Sequence, residues 1–115
     1  MLWNSRISVI GVAVVVGVTM AGLAAAEELT TIPVTIKDHR FNPAEIDVPA
    51  GKAVVLKIRN EDPTAEEFDS SALKVEKVIA GGTYGTVRLR PLGPGSYPFM
   101  GEYHSDTAKG VVVSK

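Results

Sequence analysis

No cysteine occurs among the 115 residues of this chain. That absence removes disulfides, on which small exported domains often lean, so the apolar core alone must hold any fold. It also removes thiolates as metal ligands. Charge of one sign is lacking too: 12 Lys and Arg stand against 13 Asp and Glu, a formal charge of −1. Nothing in that balance calls for nucleic acid or an anionic membrane surface as a partner. Helical periodicity is missing over any useful length, and neither a nucleophile elbow nor an oxyanion loop accompanies the serines, which argues against hydrolysis. No second domain, internal repeat or low-complexity tract is visible.

What is present begins with an export signal. Arg6 supplies a positive start, residues 7–22 form an uncharged apolar stretch, and Ala24-Ala25-Ala26 offers the small residues a signal peptidase needs. Cleavage is expected before Glu27, dividing the chain into a signal peptide at 1–26 and a domain at 27–115. The alternative is an uncleaved membrane anchor, since the uncharged run 7–26 has roughly the 20 residues that span a bilayer. Either way the domain is expected outside the cytoplasm, in a bacterium in the periplasm. At roughly 89 residues it can bury a core with limited margin.

The domain alternates with a period of two. Ile32, Val34 and Ile36 are spaced this way, as are Ile46 and Val48, and Val54, Leu56 and Ile58 interleave with Val55, Lys57 and Arg59, the pattern of half-buried strands. Further strands are expected at 73–79, 83–90, 96–100 and 111–114. Turn signals separate them at Asn42-Pro43, Pro49-Ala50-Gly51, Asn60 to Pro63, Ala80-Gly81-Gly82 and Pro91 to Gly95. About seven short strands at this spacing predict an all-β, antiparallel sandwich.

The turn and strand Pro94-Gly95-Ser96-Tyr97-Pro98-Phe99, taken with Phe41-Asn42-Pro43, Ile46, Pro49-Ala50-Gly51-Lys52 and Asn60 in that order, resemble the cupredoxins over nearly all of residues 33–114. The resemblance implies a Greek-key β-sandwich. Its type 1 copper ligands fall near Glu66 or Glu67 for the first His, at Gly101 for the Cys, at His104 for the second His and near Lys109 for the axial Met. Only His104 is retained. A blue-copper site needs a thiolate in its His₂Cys plane, so electron transfer of that kind is not expected. The segments Ala65-Glu66-Glu67-Phe68-Asp69-Ser70-Ser71 and Val78-Ile79-Ala80-Gly81-Gly82 are similar to the cupredoxin-like domain of periplasmic iron-uptake proteins, the EfeO type and its small standalone forms. That resemblance implies metal ligands at Glu67 and Asp69, while the cysteines of that type have no counterpart, Phe41 and Gly101 standing near their positions.

Glu67 and Asp69 are two apart in a strand and leave one face together, whereas Phe68 turns to the core, and Glu66 shares the Phe68 face or sits at the strand's entrance. Paired carboxylates repel unless a cation or water lies between them. His104 lies on the loop that holds copper in the family, and neutral imidazole is the commonest metal ligand. Met100, out of phase with Tyr97 and Phe99, offers a soft thioether suited to Cu(I); filling the core is the competing role. His39 in Asp38-His39-Arg40-Phe41 is a further candidate, resting on the EfeO-type cysteine nearby. Glu102 and Asp106 flank His104 as oxygen ligands or solvated charges.

The expected metal set is therefore His104, Met100, Glu67, Asp69 and His39, with copper as the cofactor and iron as substrate or alternative metal. As the resemblance implies, the protein would oxidise Fe(II), or handle it, for a membrane iron permease. One copper takes one electron at a time, so oxidation would need an electron-accepting partner. A non-enzymatic copper carrier and a metal-free docking module of a transporter are the alternatives.

Overall fold

A computed structural model of the protein describes residues 29–115. The signal peptide expected at 1–26 lies outside those residues. The alternation of the sequence becomes nine strands: β1 (Thr30–Lys37), β2 (Arg40–Asn42), β3 (Glu45–Val48), β4 (Val54–Asn60), β5 (Glu66–Ser70), β6 (Val75–Ile79), β7 (Tyr84–Leu89), β8 (Gly95–Gly101) and β9 (Lys109–Ser114), with a 3₁₀ turn at Glu102–His104 before β9. In β4 the side chains of Val54, Leu56 and Ile58 are buried while Lys57 and Arg59 are exposed. In β7 Val87 and Leu89 turn inward between exposed Tyr84, Thr86 and Arg88.

The strands form two sheets, one ordered β2-β1-β4-β7 and the other β3-β9-β8-β5-β6. Their inner faces enclose one core, centred on Phe41, Phe68 and Phe99. The ring of Phe41 meets the other two edge-on, at 5.9 Å and 5.0 Å, and Phe68 stacks on Phe99 at 4.7 Å. Each fully buried Ile, Leu or Phe contributes about 1.5–3 kcal/mol of transfer free energy, which is how a domain without disulfides holds together.

The sandwich is all-β as expected, but not wholly antiparallel. Strand β1 runs parallel to β4, and β3 parallel to β9. The reason is the chain's path: β2 turns back beside β1, the chain crosses to the other sheet as β3, and it returns as β4 on the free side of β1, running in the same direction. The strand expected at 73–79 starts later, at Val75, because Lys74 takes a left-handed φ of 59° and the N–H of Leu73 donates to Ser70 Oγ at 2.9 Å. This closes a turn before the strand begins.

Candidate metal centre

The β1–β2 hairpin has a two-residue tip, Asp38-His39, with positive φ at both positions, 53° and 57°. That is the type I′ arrangement which matches strand twist, though it costs non-glycine residues about 1–2 kcal/mol each. Asp62 offsets the strain. Its carboxylate accepts the N–H of Asp38 at 2.8 Å and of His39 at 2.9 Å. Burial alone would raise the Asp62 pKa, but these two backbone donors, with the charges of His39 and His104, outweigh it and hold the carboxyl below its ordinary value. Thr107 Oγ1 donates to the carbonyl of His39 at 2.8 Å, tying the hairpin tip to the loop after β8.

His104 ends the 3₁₀ turn in that loop, and its carbonyl accepts the N–H of Ala108 at 2.8 Å and of Thr107 at 3.1 Å. The two imidazoles, 65 residues apart in sequence, lie face to face with ring centroids 3.5 Å apart and planes 10° from parallel. Behind them stands Glu66. It shares the inward phase of Phe68 on β5 and is only 1% exposed. Its Oε2 lies 2.7 Å from His104 Nδ1, and its Oε1 accepts the N–H groups of Glu67 and Tyr103, each at 2.9 Å. A carboxylate on Nδ1 fixes the ring's orientation and leaves its other nitrogen as the lone-pair donor, the usual outer support of a metal-bound His.

Gly101 explains how Glu66 fits. A Cβ at position 101 would stand 2.6 Å from Glu66 Cδ and 2.7 Å from Ala108 Cβ. The space into which a side chain at 101 would grow is filled by the Glu66 carboxylate, so an acid from β5 occupies the room a thiolate would need.

Of the expected set, the structure brings together His39 and His104 and places Glu67, Asp69 and Met100 elsewhere. Those three project from the outer face of the five-stranded sheet, away from the core. Met100 is 40% exposed and sits opposite Asp69 across the β5–β8 pair. Placing them with His104 around one ion needs a correction on simple grounds: period-two alternation sends residues 67, 69 and 100 to the face opposite 66 and 101. On that outer face a side-chain hydrogen bond to Glu102, with partial burial and the charges of Glu102, Glu76 and Asp69, pushes the Glu67 pKa up to about 7. Glu102 belongs to this acidic group.

Sequence reasoning missed Glu66 and Asp62 as parts of the centre. For Glu66 the signal was its shared phase with Phe68, since an acid in the core row of a strand must have partners. For Asp62 no local signal exists, because its partners lie 23 and 24 residues away.

Among the described residues no three His, Cys, Asp or Glu side chains gather around a common point for a metal ion. The donor set fits a trigonal thiolate copper site badly, since position 101 has neither thiol nor space. The two imidazoles are of a kind that suits copper, but ring-nitrogen lone pairs lie in the ring planes, and planes stacked 3.5 Å apart do not converge on one point. One ring, that of His39, which Glu66 does not hold, has to turn out of the stack for both to meet an ion, with any further ligands supplied from outside.

A sequence model of the cupredoxin-like domain family matches residues 10–114 of the chain. An uncharacterised protein of Rickettsia prowazekii, RP394, is 38% identical over 87 residues, covering 76% of this chain and 70% of that one. Among solved structures, the fold is similar to the metal-binding domain of the Cu(I)-exporting P-type ATPase CopA of Streptococcus pneumoniae D39 with Cu(I), at a TM-score of 0.66 and 16% identity, over 74% of this chain and 84% of that one. It is also similar to auracyanin A, a blue copper protein of Chloroflexus aurantiacus, at a TM-score of 0.64 and 15% identity, over 76% of this chain and all of the other. At such identities the likeness is one of fold.

Proposed function

Since this chain belongs to the cupredoxin-like domain family, we propose that it is an exported copper-binding protein of ferrous-iron uptake whose metal is held by His39 and His104. The observation that carries the copper part is the juxtaposition of two imidazoles with Glu66 buried behind one of them; His39 would turn out of the stack so that a nitrogen of each ring reaches the same ion. Bound copper would supply a one-electron change between Cu(II) and Cu(I). The chain's own residues do the rest. Asp62 and Thr107 hold His39 in its strained tip, and Glu66 orients His104 through Nδ1. The absence of a thiolate leaves the centre without the strong visible absorption of blue copper.

What supports the iron-uptake setting is the similarity of residues 65–71 and 78–82 to the EfeO-type domain, and what supports export is the apolar stretch 7–22 followed by three alanines. In this role the protein would oxidise Fe(II), or handle it, for a membrane permease. Among the described residues there are too few clustered ligands for the several coppers that reduce dioxygen, so a partner would accept the electron. The openness of the centre favours a carrier as the second reading: the His104 side chain is 25% exposed, within reach of an exchanging ligand.

Copper titration followed by thermal melting tests the centre. Copper is expected to raise the melting temperature of the parent and to have no such effect on His39→Ala or His104→Ala, because only a native-state site adds stability. A copper-dependent rise that survives in both variants would refute the imidazole pair. Fe(II) oxidation by the copper-loaded protein, with a one-electron acceptor present, separates oxidase from carrier: oxidation lost in His104→Ala supports the first, and unaltered Fe(II) supports the second.

A further inference from the structure

The near-zero net charge conceals a separation. On the sheet β2-β1-β4-β7 the outward positions carry Lys37, Arg40, Lys57, Arg59 and Arg88, all exposed, and no strand position on that face carries a carboxylate. Acids enter only at its rim, where Glu61 lies 3.7 Å from Arg59 and Asp38 occupies the hairpin tip. The outward strand positions of the other sheet carry Glu45, Asp47, Glu67, Asp69 and Glu76 against one cation, Lys109, with Lys115 at the rim 3.8 Å from Asp47. The domain is therefore polarised through its thickness, one face basic and the other acidic.

We propose that the outer face of the β2-β1-β4-β7 sheet is a docking surface for a bilayer bearing anionic phospholipid headgroups. Its cations form a grid: the register sets Arg88 beside Val55, Lys57 beside Pro33, and Arg59 between Thr35 and Tyr84. Lys37 is paired with Arg40 at the end nearest His39. Tyr84, 55% exposed, has Lys57 Nζ 4.6 Å and the Arg59 guanidinium 5.1 Å from its ring centre, an amphipathic ring of the kind that favours headgroup depth.

A bilayer fits this face better than a folded acidic protein does. At strand spacings of about 4.8 Å and about 3.3 Å per residue the face spans roughly 400 Å², about half of the ~800 Å² each partner gives to a standard protein interface. Its one large ring, Tyr84, is half exposed and flanked by two cations, so the face offers neither the desolvated core nor the buried anchor on which protein partners depend. A planar anionic surface needs neither. The acidic opposite face adds orientation, because in the same field it is repelled and turns the domain basic side down. Composition spoke against such a partner only because it sums charges that the fold separates.

Lysine acetylation of the full chain, read residue by residue by mass spectrometry, tests this with or without a retained apolar leader. The chain is mixed with phosphatidylcholine vesicles, or with vesicles of equimolar phosphatidylcholine and phosphatidylglycerol. On the anionic vesicles Lys37 and Lys57 are expected to be protected relative to the neutral ones, Lys109 is expected to react equally on both, and added salt should abolish the difference. Each juxtamembrane cation is worth about a five-fold change in affinity, so Arg59→Glu/Arg88→Glu should weaken protection by about 25-fold or more. Equal reactivity of Lys57 on both vesicles overturns the proposal, as does protection that persists in the double variant. Protection by polyglutamate but not by vesicles would assign the face to an acidic protein instead. Protection that grows with protein concentration alone would assign it to a second copy.

Discussion

Gly101 and Glu66 share one volume, and substituting either should be felt through the other. In Gly101→Ala the added methyl begins 2.6 Å from Glu66 Cδ and 2.7 Å from Ala108 Cβ, whereas carbon atoms pack at about 3.5–4.0 Å. The backbone has little room to yield, since the N–H of Gly101 donates to Ala108 at 2.8 Å. Glu66 must therefore retreat by about 0.9 Å or more, which pulls Oε2 out of hydrogen-bond range of His104. Overpacking costs about 1–3 kcal/mol, and losing a hydrogen bond to a charged group about 1.5–3 kcal/mol. The sum is a large part of the roughly 5–15 kcal/mol that holds a domain together. Glu66→Ala alone leaves the N–H groups of Glu67 and Tyr103 without their acceptor and is also destabilising. In the double variant the acid no longer opposes the methyl, so its loss should fall short of the sum of the single losses by about 1 kcal/mol or more, with the Ala108 contact preventing full rescue. Urea unfolding of the four proteins gives the cycle. Additivity within about 0.5 kcal/mol would refute the shared-volume account.

Glu67→Gln should remove a pH dependence: a carboxyl whose folded pKa is raised to about 7 from an ordinary 4.5 takes up a proton on folding, so the parent loses stability as pH rises between those values. The variant should unfold with a flatter profile there and match the parent at lower pH, as chemical denaturation across the window would show. Asp62→Asn replaces an acceptor pair with one acceptor and one donor, leaving one N–H of the His39 tip unpaired at a cost of about 1–3 kcal/mol at neutral pH. Because the parent carboxyl is held below its ordinary 3.8, its contribution is present above that value and lost as pH falls through the lower folded pKa. The gap between parent and variant should therefore close in acid; a gap constant with pH would count against the clasp. Met100→Leu, on the outer face, should leave copper affinity for both oxidation states unchanged in competition titrations, and a selective loss of Cu(I) would return the thioether to the centre.

The strands were legible because burial on one side of a sheet writes a period of two into the residues, as in Val54 to Arg59. The parallel pairing of β1 with β4 was not legible, since alternation records which face a side chain takes and not which way a neighbouring strand runs. His104 stood out through its loop. The stacking of His39 on it depends on a hairpin tip, a clasp from Asp62 and a tie from Thr107, contacts spanning up to 68 residues that no local pattern encodes. The outward phase of Met100 relative to Phe99 was already visible in the sequence, and it places the thioether on the face the structure gives it. Glu66 was legible in its direction and illegible in its purpose, which emerges only once Gly101 and His104 are beside it.

The filled space at Gly101 also limits where this lineage can go by small steps. A cysteine introduced there alone would enter occupied volume and strain a β-strand. A small residue introduced first at 66 would open a void and strip support from His104 and two backbone amides. Each intermediate is less fit to fold than the starting protein, and even the two changes together leave Ala108 Cβ 2.7 Å from a side chain at 101, which must also give before a thiolate has a place. The acid and the glycine thus act as a mutual lock: neither drifts freely while the other stays, and the route to a sulfur-ligated centre passes through a valley rather than along a slope.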